Sequence, residues 1–276
     1  MRAPLRRGDG GEPVKDLQRR LNNLGSVLLI DGDFGIDTET AVVEACQALQ
    51  LRESVEADEA LLQALADAPE PFPPLGAPGV TFIARLEIGS PSDYRAKYAR
   101  PTWAGERSGI TIGVGYDLRF VDEAELRADW GGWLPEGALV RLARVAGSVG
   151  STAMEDAVSD MNVPLLGATA VFLGRMLPKH LDATRAIYPT IGELTRAQRC
   201  ALVSLVFNRG NDLDGPRRAE MRRIQGLLSA RNLDGVPDQI ESMTRLWSPT
   251  RERGLIDRRR SEAALWRGGF VPLSLE

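Results

Sequence analysis

The sequence predicts a mainly α-helical (α+β) fold, and three features of it support this class. Apolar residues recur at helical spacing on both sides of a proline-rich stretch at residues 66–79. One segment, residues 110–118 (ITIGVGYDL), has the β-branched composition of a strand. With 276 residues, 43% of them hydrophobic, the chain is long enough for two domains and too apolar to be disordered. We therefore expect a small β element among many helices.

The composition excludes several kinds of chemistry. Two cysteines, Cys46 and Cys200, are too few for a disulfide framework, and the single histidine, His180, cannot build a zinc site from several histidines. We therefore expect no metal and no cofactor, and any catalysis should depend on carboxylates. The net charge of −4 gives no reason to expect nucleic acid as a partner.

The sequence also lacks the usual signals for membranes and secretion. No apolar run reaches the roughly 18 residues that cross a bilayer, so stable membrane insertion is not expected. The first residues, MRAPLRRGDG, are basic but are not followed by an apolar segment, so we expect no secretory signal peptide. A monomer is expected.

Residues 1–67 are enough for a module of three helices around a small core. The first helix is predicted to end at Gly25, a natural helix terminator. A turn-rich loop, DGDFG at residues 31–35, follows, and Asp37 or Thr38 is expected to cap the second helix. The third helix is predicted at residues 60–66. The helical spacing of the first helix is carried by Val14, Leu17, Leu21 and Leu24.

The proline-rich stretch is predicted to separate two domains. It contains five prolines in fourteen residues, which favours an extended, semi-rigid segment. We predict a small domain at residues 1–67, a linker at 68–79 and a larger, mostly helical domain at 80–276.

The order of signals in the small domain resembles a known family, the three-helix peptidoglycan-binding domain, over residues 4–67. The resemblance implies that this module binds the bacterial cell wall and that peptidoglycan is the partner. It depends on Leu5–Gly8, Val14–Gln18, Leu21, Leu24–Gly25, Asp31–Gly35, Thr38 and Ala41–Val42.

The large domain resembles the phage-type lysozymes at three places in the expected order. Glu87 with the later segment 110–118 is similar to the active-site region of that family. Residues 196–210 resemble its buried central helix, and residues 254–268 resemble its closing helices. The resemblance implies a lysozyme-like, mostly helical catalytic domain with a small β element.

The resemblance also implies roles for individual residues. Glu87 matches the catalytic glutamate of the family, and Thr111 matches its active-site threonine. Two residues are candidates for the second carboxylate. Asp117, six residues past Thr111, fits the branch typified by the bacteriocin pesticin and is preferred, whereas Glu106 lies in the window before Thr111 that most members use.

Two further residues are predicted to bind substrate. Asn208 ends the predicted central helix, and Tyr116 lies beside Asp117 at a position where most members of the family have a histidine. The sequence predicts no metal ligands.

The implied activity is hydrolysis of the β-1,4 bond between N-acetylmuramic acid and N-acetylglucosamine in peptidoglycan. Glu87 would act as the general acid, and Thr111 would orient the attacking water. The domain order resembles modular endolysins of phages that infect Gram-negative bacteria, and a secreted antibacterial effector is equally compatible with it. The expected location of action is the periplasm and cell wall, after release from the cytoplasm through a holin or a secretion system. The alternatives are a non-catalytic wall-binding structural protein and a lytic transglycosylase.

Overall fold

The first three helices of the chain share one apolar core. The computed structural model describes residues 3–105 and 107–270. The three helices are α1 (Glu12–Asn23), α2 (Ile36–Ala48) and α3 (Glu59–Ala66). Asp58 caps α3 by accepting a hydrogen bond from the N–H of Leu61 at 2.9 Å. The core consists of Val14, Leu17, Leu21, Leu28, Phe34, Ala41, Val42, Ala45, Cys46, Ala57, Leu61 and Leu65.

The second helix begins before either of its predicted caps. Its N-cap is Gly35, so Asp37 and Thr38 lie in the first helical turn. The hydroxyl of Thr38 donates to the carbonyl oxygen of Asp33 at 3.3 Å, and the carboxylate of Asp37 accepts hydrogen bonds from Ser92 and Arg95. The prediction that Asp37 or Thr38 caps α2 is therefore wrong, because both side chains are engaged with partners outside the helix.

The chain divides into two compact units. The first comprises Met1–Phe72 and Val80–Met176, and the second comprises Pro73–Gly79 and Leu177–Glu276. Helix α4 (Gly76–Ile88) starts inside the predicted linker and carries Pro78 in its first turn. Proline is tolerated there because the first N–H groups of a helix have no partner within the helix. The division at residues 68–79 into two domains stays a prediction.

The first unit contains the β element of the fold. Strands β1 (Thr102–Trp103), β2 (Ile110–Ile112) and β3 (Tyr116–Asp117) form an antiparallel sheet in that order. The helices around them are α5 (Pro91–Lys97), α6 (Glu123–Trp130), α7 (Glu136–Ala143), α8 (Thr152–Asp156) and α9 (Leu165–Val171). A π-helical turn (Phe172–Met176) follows α9. The fold is mainly α with a small three-stranded sheet, as predicted.

The three-helix module packs against the rest of the first unit. The guanidinium of Arg85 in α4 is buried and donates to the carbonyl oxygen of Val27 at 3.2 Å. Gly25 lies so close to Thr169 of α9 that an added Cβ would be 2.7 Å from its methyl group. The two parts are therefore docked by specific side chains.

The second unit is built from helices around a buried central one. They are α10 (Leu177–Ile187), α11 (Arg196–Arg209), α12 (Ala219–Ser229), α13 (Val236–Ser242) and α14 (Arg253–Gly268). Residues 200–206 of α11 are all buried. A polar cluster joins α11 to α14, since the hydroxyl of Ser204 donates to Glu262 at 2.6 Å and Arg259 pairs with the same carboxylate at 2.7 Å.

Two further observations concern the whole of the described chain. Its helices include none that is long and apolar enough to cross a membrane. Cys46 and Cys200 are both buried as free thiols.

Candidate functional site

Glu87 lies near the C-terminal end of α4, where the helix stops abruptly. Gly89 follows with φ of +75°, and its N–H donates to the carbonyl oxygen of Arg85 at 2.9 Å. The chain then starts α5 with a capping box between Ser90 and Asp93. Glu87 is half-buried, beside a helix face whose apolar residues are buried. The end of one helix and the start of the next thus fix the backbone on the C-terminal side of Glu87.

Thr111 and Asp117 are direct partners across two antiparallel strands. The segment 110–118 forms a hairpin, with Ile112 opposite Tyr116 and Thr111 opposite Asp117. Gly113 and Gly115, with φ of +58° and +72°, supply the turn. Residues directly opposite in such a pair have Cα atoms about 4.5–5.5 Å apart, and their side chains share one face of the sheet.

The buried face of the sheet sets this register. Ile110, Ile112 and Tyr116 point into the core, with exposed fractions of 0%, 0% and 4%. Because side chains alternate along a strand, Thr111 and Asp117 must occupy the opposite face. On β1, Thr102 is the partner of Thr111 and continues the same polar row.

Asp117 also has a structural role within the hairpin. Its Oδ1 accepts hydrogen bonds from the N–H of Arg119 at 2.9 Å and of Gly109 at 3.0 Å. Asp117 thereby caps a 3₁₀ turn (Leu118–Phe120). A side chain at position 109 would meet Asp117, since an added Cβ would be 2.5 Å from Oδ1. Among the residues that the structure describes, Oδ2 accepts no hydrogen bond.

The other candidate for the second carboxylate, Glu106, lies outside the described residues. Its neighbours are placed: the carbonyl oxygen of Gly105 accepts hydrogen bonds from the hydroxyl of Ser108 at 2.7 Å and from its N–H at 3.2 Å. The choice between Asp117 and Glu106 therefore stays open to experiment.

Tyr116, a predicted substrate-binding residue, is packed in the interior. Its hydroxyl donates to Oδ2 of Asp129 at 2.6 Å, and its ring meets Trp130 edge-on with centroids 5.6 Å apart. Burial, and then the hydrogen bond to Asp129, raise the pKa of Tyr116. This environment holds Tyr116 in its neutral form, and a direct contact with substrate stays a prediction.

Asn208, the other predicted substrate-binding residue, belongs to the second unit. It is exposed near the C-terminal end of α11 and lines a cavity of about 460 Å³. Arg209 and Trp247 line the same cavity. The predicted residues are thus divided between the units, with Glu87, Thr111, Tyr116 and Asp117 in the first and Asn208 in the second.

The DGDFG loop of the three-helix module is held by one buried side chain. The amide of Gln18 in α1 donates to Oδ1 of Asp31 at 2.8 Å and to the carbonyl oxygen of Asp33 at 3.0 Å. Its oxygen accepts from the N–H of Gly32 at 3.0 Å, and Gly32 has φ of +78°. Phe34, fully buried, ties the loop into the core. This arrangement explains why the loop needs both its glycine and its aromatic residue.

The three-helix module is similar to one known protein family. Residues 10–65 match the family described as a putative peptidoglycan binding domain. The match spans α1, α2, α3 and the DGDFG loop, and it supports peptidoglycan as a partner. No curated protein matches the chain. Because the family match ends at Leu65, it bears on the module and not on residues after it.

Sequence reasoning missed four residues that contribute to these sites. Gln18 appeared only as part of a motif, although it organises the DGDFG loop. Gly109 carries no side-chain chemistry, so only its approach to Asp117 reveals its role. Arg217 and Arg218 of the cavity are separated from Asn208 by a loop, and the sequence signal was limited to a local excess of basic residues.

Proposed function

We propose that the chain is a peptidoglycan hydrolase of the muramidase type, with a wall-binding module in front of its catalytic part. The observation that carries the proposal is the cross-strand pair of Thr111 and Asp117. A hydroxyl and a carboxylate on one sheet face, half-buried rather than fully exposed, can hold a water molecule between them. The wall-binding family of residues 10–65 supports peptidoglycan as the substrate.

In this proposal, each of the three residues has a distinct role. Glu87 is the general acid that protonates the leaving oxygen of the glycosidic bond. Asp117 is the second carboxylate, which activates water or opposes the positive charge that develops on the sugar. Thr111 orients the attacking water by a hydrogen bond. A carboxyl separation of about 6.5–9.5 Å in the complex with substrate corresponds to inversion at the anomeric carbon.

The proposed role in biology follows from the substrate. A peptidoglycan hydrolase made in the bacterial cytoplasm reaches its substrate only after release, through a holin in the case of an endolysin or through a secretion system in the case of an effector. The proposed chemistry uses side chains of the chain itself and includes no cofactor.

The test is digestion of purified sacculi followed by mass spectrometry of the soluble products. A muramidase yields muropeptides with reducing N-acetylmuramic acid ends. A lytic transglycosylase yields 1,6-anhydro products instead, and a wall-binding structural protein releases none. Either of these two results would contradict the proposed hydrolysis.

The matching variant is Glu87→Gln, which removes the proton that the leaving group needs. We expect digestion to slow by at least about 100-fold, the lower end of the usual contribution of acid catalysis. The control is Glu123→Gln, which changes an exposed helical glutamate whose partner is Arg127. The control should digest sacculi at the native rate, since surface ion pairs contribute little to stability. Retention of most of the activity in Glu87→Gln would remove Glu87 from its role.

A further inference from the structure

A cavity in the second unit has a chemical character that the proposed hydrolysis does not require. It has a volume of about 460 Å³, within the usual range for small-ligand sites. It lies where the end of α11, the following loop, the residues before α14 and the first turn of α14 meet. Its lining includes Asn208, Arg209, Asp214, Arg217, Arg218 and Trp247.

The three arginines of this cavity have no carboxylate partners within the described part of the chain. Arg217 donates to the carbonyl oxygen of Leu246 at 3.4 Å, and Arg218 reaches the sulfur of Met221 at 3.6 Å. Both contacts are weak for a guanidinium, which prefers a bidentate oxyanion. Most of the hydrogen-bonding capacity of these two side chains is therefore available to a ligand.

Arg209 is the most constrained of the three. Its Nε is buried without a hydrogen-bond partner, while its Nη2 donates to the carbonyl oxygen of Arg217 at 2.5 Å. Burial, and then the charges of Arg218, Arg259 and Arg217, lower the pKa of Arg209 to about 10. The cavity wall is thus a concentration of positive charge that the protein leaves largely uncompensated.

The carboxylates of Asp214 and Glu220 do not neutralise this charge. Asp214 lines the cavity but forms no ion pair with a described residue. Glu220, which favours the charged form of Arg209, is already paired with Arg245 at 2.6 Å. Three arginines therefore face a single aspartate across the lining.

Trp247 gives the cavity a flat apolar wall. The guanidinium of Arg209 lies 5.2 Å from the centroid of its ring, a distance at which cations and aromatic rings attract each other. Leu255 adds a second apolar side chain. A ligand with one anionic group on a carbon skeleton would meet both kinds of surface.

We infer that this cavity is an oxyanion-binding subsite, which takes a carboxylate or a phosphate group between Arg209, Arg217 and Arg218. Guanidinium forks match the geometry of such groups, and the indole of Trp247 and the amide of Asn208 flank them. The group can belong to a free anion or to a stem-peptide carboxylate of the wall. The second source rests on the proposed function, and the first is independent of it.

The experiment follows the indole N–H signals of the native, full-length chain by ¹H–¹⁵N NMR. The chain has five tryptophans, and Trp247→Phe identifies the signal of Trp247. One arm adds inorganic phosphate, with sodium chloride at equal ionic strength as its control. A second arm adds a soluble disaccharide muropeptide with free carboxylates, and a third adds the same muropeptide with its carboxylates amidated.

We expect phosphate to shift the Trp247 signal saturably and chloride to leave it unchanged. The double variant Arg217→Gln, Arg218→Gln should weaken phosphate binding by at least about tenfold, since hydrogen bonds to charged groups are among the stronger ones. Arg223→Gln, on the exposed side of α12, is the matched control and should bind as the native chain does. Both substituted arginines make only weak contacts, so the double variant should fold, which circular dichroism checks.

The muropeptide arms identify the source of the anion. A shift with the free-carboxylate form and none with the amidated form assigns the subsite to the wall, and a shift with phosphate alone assigns it to a free anion. The inference is overturned if no anion gives a saturable shift, if chloride gives the same one, or if the double variant binds like the native chain. Digestion of sacculi without such a shift overturns the subsite alone, whereas a shift without digestion overturns the proposed function alone.

Discussion

At the scale of single residues, Asp117 combines two properties that substitutions can separate. Its Oδ1 caps a 3₁₀ turn and binds the N–H of Gly109, and its negative charge is the proposed catalytic property. Asp117→Asn keeps an oxygen acceptor and removes the charge. We expect the free energy of unfolding to stay within about 0.5 kcal/mol of native, because the cap survives in this variant. The rate of sacculus digestion should fall by about 100-fold or more.

Asp117→Ala is the companion variant, since it removes the acceptor as well as the charge. It should lose about 1 kcal/mol of stability, the usual cost of removing a cap, in addition to its activity. Glu106→Gln on the same sacculi compares the two carboxylates. Near-normal activity in Asp117→Asn together with a loss in Glu106→Gln would transfer the role to Glu106. Loss in both would show that the two carboxylates share the catalytic work.

Single residues also show where sequence reasoning succeeds and where it does not. The DGDFG motif predicts the loop of the module, because a glycine with positive φ and a buried aromatic residue are local requirements. The same reasoning failed for Asp37, which looked like a helix cap but contacts Arg95, far along the chain. Local patterns cannot reveal which of two competing partners a polar side chain will bind.

At the scale of elements, the end of α4 is a junction that tolerates little change. Gly89 has positive φ, and an added Cβ would lie 2.7 Å from Oδ2 of Asp93. That carboxylate is held by hydrogen bonds from Lys97 at 2.7 Å and from the hydroxyl and N–H of Ser90 at 2.8 and 3.1 Å. The same hydrogen bonds lower the pKa of Asp93 to about 2. We expect Gly89→Ala to lower the free energy of unfolding by about 1–3 kcal/mol. Activity should fall with it, since Glu87 is two residues away.

The matched control is Gly137→Ala in the helix α7 of the same unit. Nothing lies within 4 Å of an added Cβ there, and alanine favours the helix, so the variant should be neutral or up to about 1 kcal/mol more stable. Denaturant unfolding of both variants decides the matter. Equal stability of the Gly89→Ala and Gly137→Ala variants would show that the end of α4 accommodates a methyl group without strain.

Sequence reasoning predicted the type of these helices and strands more reliably than their boundaries. The segment 110–118 was recognised as β, yet its alternating glycines form a turn, so it is a hairpin and not one strand. Strand β1 has only two residues, too few to produce a periodic signal. Helix α4 starts at Gly76, inside the predicted linker, because Pro78 is compatible with a first turn. The hairpin and the early start of α4 both occur where glycines or a proline permit two geometries.

At the scale of the whole molecule, the wall-binding module is more than a tethered domain. Its carbonyl oxygen at Val27 accepts from the buried Arg85, and Asp37 pairs with Arg95 of α5. These contacts join residues that are far apart in the sequence, so no local pattern predicts them. In the proposed function, the docked module positions the proposed hydrolase part on the wall as well as raising its local concentration there.

Deleting residues 1–67 tests the wall-binding role, and loosening the docking tests the positioning. We expect the truncated chain to bind purified sacculi at least about tenfold more weakly than the native chain, because tethering to the wall is lost. Its melting temperature should also fall, since the surface around Arg85 and Thr169 becomes exposed.

The full-length double variant Asp37→Asn, Arg95→Gln keeps the module and removes one ion pair between half-buried side chains. It should bind sacculi as the native chain does but digest them more slowly, because the contact between the module and α5 is weakened and the proposed hydrolase part is positioned less well. Equal pull-down of the truncated and native chains would refute the binding role. Native digestion by the double variant would show that the ion pair between Asp37 and Arg95 contributes nothing to turnover.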